Sequence, residues 1–389
     1  MKRKLAKVAG AIVLVLAVGG LLFAWSGLYN VAATAGHWPM TAWLLHFAMR
    51  NSVETHAIPL RAPPLDGLDL VERGAGHYET GCMPCHGAPG SPANRIPNEM
   101  LPEPPYLPAA VDQWTAEELF WIVRHGLKYT GMPAWPAEGR DDEVWAVTAF
   151  LLRLPQMSAE KYAALAKGPD LEFPTGSGEP EMPDTPGEVF TLSHAALLGA
   201  CARCHGLDGA GRASGAFPRL DTQSSDYLYR ALQEYASGVR PSGIMQPVAA
   251  ALDDEQMARL ARHYSEAAAE TPVPQGEQVA ELDFGMTIAA RGIPERGIGG
   301  CTACHGVGTG PDSALYPALD GQYASYLAMQ LRLFRDGVRS GTAYADIMAA
   351  VARNMTDDEI EAVALYYSSL PTPRNVPRPE TAAKDASSQ

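Results

Sequence analysis

The chain has 389 residues, 47% of them hydrophobic, enough to build the cores of two to four small domains. Its formal charge of −14 argues against nucleic acid and favours basic docking partners. With 32 prolines and 37 glycines, it is rich in loops and linkers.

The N-terminus opens "MKRKLAK" and runs on as "VAGAIVLVLAVGGLLFAW", Val8 to Trp25. The first 53 residues contain no Asp or Glu. The apolar run is long enough to span a bilayer, which takes roughly 20 residues. Lys2, Arg3, Lys4 and Lys7 place its leading end in the cytoplasm, so the remainder lies on the outer face. A cleaved signal peptide is the competing reading, because "ATA" at Ala33–Ala35 resembles a cleavage site. The run exceeds a usual signal h-region and the site lies well past its end, which favours an uncleaved anchor. Residues 1–30 are then the cytoplasmic tip and anchor, and 31–60 a juxtamembrane segment. There "HWPMTAWLLHFAMRNSV" reads as a helix on the membrane surface. Trp25, Tyr29, Trp38 and Trp43 suit an interfacial aromatic belt, or ordinary packing.

Three globular units follow, at 61–157, 188–270 and 282–371. A Pro/Gly/acidic linker covers 158–187, a short spacer 271–281 and a polar tail 372–389. The second and third units are repeats. "FPRLDTQSSDYLYRAL" matches "YPALDGQYASYLAMQL", and "IMQPVAAALDDEQ" matches "IMAAVARNMTDDE". Strand patterns are scarce, whereas "DDEVWAVTAFLLRL", "DDEQMARLARHY" and "TDDEIEAVALYYSSL" carry apolar residues at helical spacing, each opening on a capping signal. The expected fold is all-α: a transmembrane helix and three small helical domains.

All six cysteines fall in one pattern: "CMPCH" (Cys82, Cys85, His86), "CARCH" (Cys201, Cys204, His205) and "CTACH" (Cys301, Cys304, His305). C-x-x-C-H is the attachment motif of c-type haem. Two cysteines about one helical turn apart can each form a thioether with a haem vinyl group, and the next histidine can face the iron. A redox dithiol, disulfides or a zinc site explain the pattern less well. A four-cysteine zinc site would leave one motif over, and disulfides need no histidine. The expected cofactors are three covalently bound haems c.

Iron in an electron carrier takes a sixth ligand that stays bound in both oxidation states, and methionine sulfur serves. Met132, in "GMPAW", stands on a loop ahead of a C-terminal helix, where such a ligand would be delivered. In the second unit the choices are Met245 and Met257, in the third Met329, Met348 and Met355. The repeat favours Met245 and Met348, which both follow Ile, and aligns Met355 with Leu252. Met257 keeps helical spacing with Leu260 and Tyr264, so it reads as core. The seven histidines outside the motifs, His77 and His125 among them, read as surface or packing, and His125 could also reach a propionate or serve as a rival ligand. Tyr129 and Trp135, which flank Met132, either bond a haem propionate, wall the haem pocket or simply pack.

In the first unit "GAGHYETGCMPCH" resembles the N-terminal helix of class I cytochromes c. That resemblance implies that Gly74 lets a C-terminal helix bearing Trp145 and Phe150 cross closely. The second and third units together resemble periplasmic diheme cytochromes of the same superfamily. There the resemblance implies that the carbonyls of Pro218 and Pro317 orient the proximal histidines. Ser193 stands where the second unit's helix glycine should fall.

No nucleophile, general base or phosphate loop stands out. The expected function is single-electron transfer by a triheme carrier on the inner membrane, its haem domains in the periplasm. Its donor would be a periplasmic dehydrogenase or quinol-oxidising complex, its acceptor a terminal oxidase or soluble cytochrome. The alternatives are a peroxidase-like haem enzyme with one open coordination site, or the cytochrome subunit of a dehydrogenase complex.

Overall fold

A computed structural model describes residues 2–168, 194–267, 279–305, 316–342 and 344–372. Among them every regular element is helical, apart from the isolated bridges Ala88–Ser91 and Ile293–Ile298. The longer helices are numbered here in chain order.

Helix α1, Lys2–Ser26, buries none of its residues and is long and apolar enough to cross a membrane. After it, α2 (Pro39–Ala57) has two different ends. Its C-terminal half packs Val53 and Ala57 into the first unit, and Arg50 lies 4.5 Å over the Trp114 ring. Its N-terminal half leaves Trp43, Leu44, Leu45 and Phe47 at least half exposed.

The first unit is built on α3 (Leu68–His77) crossing α5 (Asp141–Leu151). A Cβ on Gly74 would lie 2.0 Å from the Ala146 carbonyl oxygen, so only glycine permits the crossing. Val71, Ala75, Tyr78, Phe150 and Leu154 fill the core around it. Each large side chain there contributes about 1.5–3 kcal/mol by leaving water. A π turn, Tyr78–Cys82, carries α3 on into the short helix Met83–His86. Helix α4 (Ala116–His125) opens with a full capping box of Thr115 and Glu118.

One boundary differs from the sequence expectation. Residues 159–166 form a helix, α6 (Ala159–Ala166), that adds Tyr162 and Ala166 to the first core rather than beginning the linker. Residues 169–187 of that linker, Ser193, most of the spacer and the tail from 373 lie outside the described residues.

The second unit comprises α7 (His194–His205), α8 (Ser225–Ala236) and α9 (Asp254–Glu266), around Leu198, Leu228, Leu260 and Tyr264. The third repeats the plan with α10 (Val279–Arg291), α11 (Ala324–Arg335) and α12 (Asp357–Ser369), around Ile288, Leu327, Ile360 and Tyr367. Gly285 does for α10 what Gly74 does for α3: its Cβ would meet the Ala362 carbonyl oxygen at 2.1 Å.

The caps of the three C-terminal helices are not alike. Asp253 with Gln256, and Thr356 with Glu359, close capping boxes on α9 and α12. Helix α5 was expected to open on a similar signal. Instead Arg140 stands at its N-cap without a side-chain cap bond, and Glu143, the third residue of the helix, turns to the second unit.

The first unit touches both of the others. Ser214 donates to Glu72, and Arg73 Nη1 lies 2.7 Å from the sulfur of Met329. A Cβ on Gly76 would lie 3.0 Å from the ring of Phe217 and 3.3 Å from Cys204 Sγ.

Candidate haem sites

In each unit the histidine after the second cysteine turns Nδ1 to a proline carbonyl. The distances are 2.9 Å for His86 to Pro105, 3.1 Å for His205 to Pro218 and 2.9 Å for His305 to Pro317. A carbonyl oxygen only accepts, so Nδ1 carries the proton and Nε2 keeps its lone pair. That tautomer, fixed by a partner on the far nitrogen, is what a metal-ligating histidine requires. Burial holds all three imidazoles below the usual histidine value, against the pull of the proline carbonyl. They are therefore neutral near pH 7. Pro218 and Pro317 stand where the resemblance placed them. Pro105 was not foreseen; "EPPYLP" lacks the "FPRL" pattern of the repeats, and its density of prolines was the one available signal.

The six cysteines are partly buried, and none is paired in a disulfide. Burial, and then the neighbouring cysteine, pushes Cys82 up to about 12 and Cys201 up to about 11. Burial likewise raises Cys301 to about 11.

The second and third motifs open on one cavity of about 640 Å³. Cys201, Cys204, His205 and Met245 line it from one unit, and Cys301, Cys304, His305 and Met348 from the other. Its volume lies in the usual range for cofactor sites, roughly 300–1,000 Å³. The two halves mirror one another. Phe217 stands 6.2 Å from the His205 ring, and Tyr316 stands 6.0 Å from the His305 ring. Arg240 lies 4.5 Å over Tyr235, and Arg339 lies 4.5 Å over Phe334. Both guanidinium groups line the cavity and supply the positive charge that a porphyrin's carboxylates need. The residues fit haem. The first motif does not open on this cavity, and Met132 is half-buried on its loop, its N–H bonded to Thr130 Oγ1 at 3.1 Å.

The other methionines are sorted by burial. Met257 and Met355 are 4% and 5% exposed, and Met355 belongs to the third core where that core lines the cavity. Met329 lines the cavity, but its sulfur is engaged by Arg73. Trp135 donates Nε1 to Glu143 at 3.0 Å, so that group serves the contact between units and not a propionate. Tyr129 is 96% exposed, and His125 is exposed with its ring 5.2 Å from Trp121.

His77 has a role that the sequence does not announce. It is buried in the wall of the shared cavity, with Nε2 unpartnered and its ring edge-on to Trp135 at 5.6 Å. Burial first, then Arg73 and Arg140, hold it well below the ordinary histidine value. Helical spacing alone could not have told this residue from any other on the buried face of α3.

Residues 69–151 match the family described as cytochrome c oxidase, cbb3-type, subunit III. Residues 194–265 and 298–371 match the family described as cytochrome c. A thiosulfate dehydrogenase electron acceptor of Stutzerimonas stutzeri is 41% identical over 171 residues, covering 44% of this chain and 79% of that protein. Cytochrome c4 of Azotobacter vinelandii is 30% identical over 180 residues, covering 44% and 84%. The crystal structure of reduced recombinant cytochrome c4 from Pseudomonas stutzeri aligns with a TM-score of 0.40 at 30% identity, over 45% of this chain and 95% of that one. The chain belongs to the cytochrome c family and is an electron-transfer protein with covalently bound haem c.

Proposed function

We propose that the protein is a membrane-anchored triheme electron carrier. Its haems would be held by thioethers from Cys82 and Cys85, Cys201 and Cys204, and Cys301 and Cys304. His86, His205 and His305 would be the proximal ligands, and Met132, Met245 and Met348 the distal ones. The observation that carries this reading is the threefold histidine–proline bond, which leaves a free Nε2 beside each cysteine pair.

When bound, each haem supplies a one-electron couple, and histidine–methionine ligation raises its potential. The chain does the rest. Pro105, Pro218 and Pro317 fix the imidazoles, so no ring turns between oxidation states. In the shared cavity the apolar walls would exclude water, and the guanidinium groups of buried Arg240 and half-buried Arg339 would balance anionic charge. The first unit, expected at 61–157, extends to about 166 with α6, and the second and third lie at about 188–270 and 282–371.

The anchor would be α1, spanning the inner membrane once with the haem units in the periplasm. The half-exposed aromatic residues at the start of α2 suit the membrane surface. The second and third units would take electrons from a periplasmic dehydrogenase. The name of the Stutzerimonas relative supports a thiosulfate-oxidising donor. The first unit's likeness to an oxidase subunit supports a terminal oxidase as acceptor.

Intact-mass measurement of the purified holoprotein would count the attached haems. Stopped-flow mixing with a thiosulfate dehydrogenase and thiosulfate would test the donor. Three haems and their full reduction are expected. Fewer attached haems, or no reduction by that enzyme when dithionite reduces the protein fully, would contradict the respective claim.

A further inference from the structure

We infer that Glu143 of the first unit is a positioning residue for the second unit's distal loop, and so holds Met245 in place on its haem. The inference rests on the proposed ligation by Met245.

The Glu143 side chain is buried, with 1% of its surface exposed. A buried carboxylate persists only where donors replace its water. Oε1 meets Ser242 Oγ at 2.7 Å and Arg140 Nη1 at 2.9 Å. Oε2 meets the Gly243 N–H at 2.7 Å and Trp135 Nε1 at 3.0 Å. Two of the three hydrogen-bond donors thus come from the second unit, immediately ahead of Met245, and Arg140 is an ion-pair partner. Arg140 adds a third bond across the boundary, donating Nη1 to the Pro241 carbonyl at 2.8 Å.

The next link runs through Ser242. Its hydroxyl donates to Glu143 and accepts from the backbone N–H of Ile244 at 3.3 Å and of Met245 at 3.1 Å. The Ser242 carbonyl accepts from the N–H of Gln246 at 3.3 Å. The start of the helix Met245–Ala250 therefore hangs on one buried hydroxyl, and that hydroxyl is oriented by a carboxylate 99 residues away in sequence. Space is tight as well: a Cβ on Gly243 would lie 2.3 Å from Trp135 Nε1.

Two comparisons inside the molecule separate this role from general packing. Gln256 and Glu359, the third residues of α9 and α12, bond back to their own caps, whereas Glu143 at the same place in α5 does not. The third unit is organised differently: the helix Ala345–Ala352 begins behind Tyr344, whose carbonyl accepts from the Met348 N–H at 3.3 Å. Glu143 has no partner there among the described residues. Its loss should therefore be felt at the second haem and not at the third.

The test uses the full-length oxidised holoprotein and imidazole as a competing ligand. Glu143→Gln, Ser242→Ala and Met245→Ala are compared with wild type by optical titration, with the methionine–iron charge-transfer absorption followed alongside. Hydrogen bonds to a charged group are worth enough to shift such a competition by about tenfold to a hundredfold. Glu143→Gln and Ser242→Ala should tighten imidazole binding by that factor at the haem that Met245→Ala opens, and leave the others unchanged. If Glu143→Gln does not accumulate as holoprotein, Ser242→Ala, which removes a single oxygen, decides the matter. The inference is overturned if Met245→Ala opens one haem while Ser242→Ala and any soluble Glu143→Gln bind imidazole there as wild type does. If Met245→Ala opens no haem, the ligand assignment itself is wrong and the positioning role falls with it.

Discussion

Gln223 and Gln322 stand at equivalent places in the second and third units, and each bonds the backbone of the other's unit in the same way. Gln223 donates Nε2 to the Ala318 carbonyl at 2.9 Å and accepts from the Ala318 N–H at 3.0 Å. Gln322 does the same with the carbonyl and N–H of Arg219, both at 3.0 Å. Position 219 aligns with 318 in the repeat, so the contact is a pseudo-two-fold. The shared cavity lies against it, with both glutamines in its lining.

Both side chains are buried, at 5% and 3% exposure. Replacing either with alanine would strand a buried backbone N–H and C=O, at a cost of about 1–3 kcal/mol each. Denaturant unfolding of Gln223→Ala and Gln322→Ala should show that loss. It should also show the two units ceasing to unfold together. A change near zero in both variants would mean that the contact is not formed in solution.

The glycine crossings give a second prediction. Gly74→Ala and Gly285→Ala each force a methyl group onto a carbonyl oxygen, at 2.0 and 2.1 Å. Overpacking of this kind costs about 1–3 kcal/mol, and more where backbone must move. The loss would be read from the denaturation midpoint of the first unit for Gly74→Ala and of the third for Gly285→Ala.

A third prediction concerns pH. In the second unit Asp221 is paired with Arg219, but the third unit has Ala318 in place of that arginine. Burial then raises the carboxyl of Asp320 to about 6. The ordinary aspartate value is about 3.9, so the folded chain binds this proton more tightly than the unfolded chain does. Stability from this group is therefore highest below about pH 4, falls as pH rises, and is fully lost above about pH 6. Asp320→Asn should match wild type at the acid end and melt higher at neutral pH. Parallel melting curves across that window would refute it.

The anchor gives a fourth. Removing residues 2–26 should release the protein from membranes treated with alkaline carbonate, while the full chain stays with the pellet. Retention of the shortened chain would assign the attachment to α2 or to a partner.

Much of this was legible in the sequence because it is local. The motif spacing pointed to His86, His205 and His305, each of which bonds a proline carbonyl, and helical periodicity gave α9 and α12 with their caps. What escaped was long-range. The third position of α5 looks like a capping residue from its neighbours alone, and nothing near Glu143 in sequence announces Ser242. Helix α6 escaped because its alanines adjoin a Pro/Gly/acidic run, and it is the burial of Tyr162 against the first core that makes it part of that unit. Trp135 escaped for the same reason as Glu143, since its partner is set by how α5 turns its first residues outward.

The central claim is that every iron has its methionine. The most direct test is an optical and redox titration of the holoprotein with and without carbon monoxide and cyanide. The account predicts methionine–iron charge-transfer absorption from three haems and no ready binding of either added ligand. It also predicts that Met132→Ala, Met245→Ala and Met348→Ala each open one haem, whereas Met257→Leu and Met355→Leu open none. A wild-type haem that takes up carbon monoxide readily would contradict the account and mark that site as open to substrate.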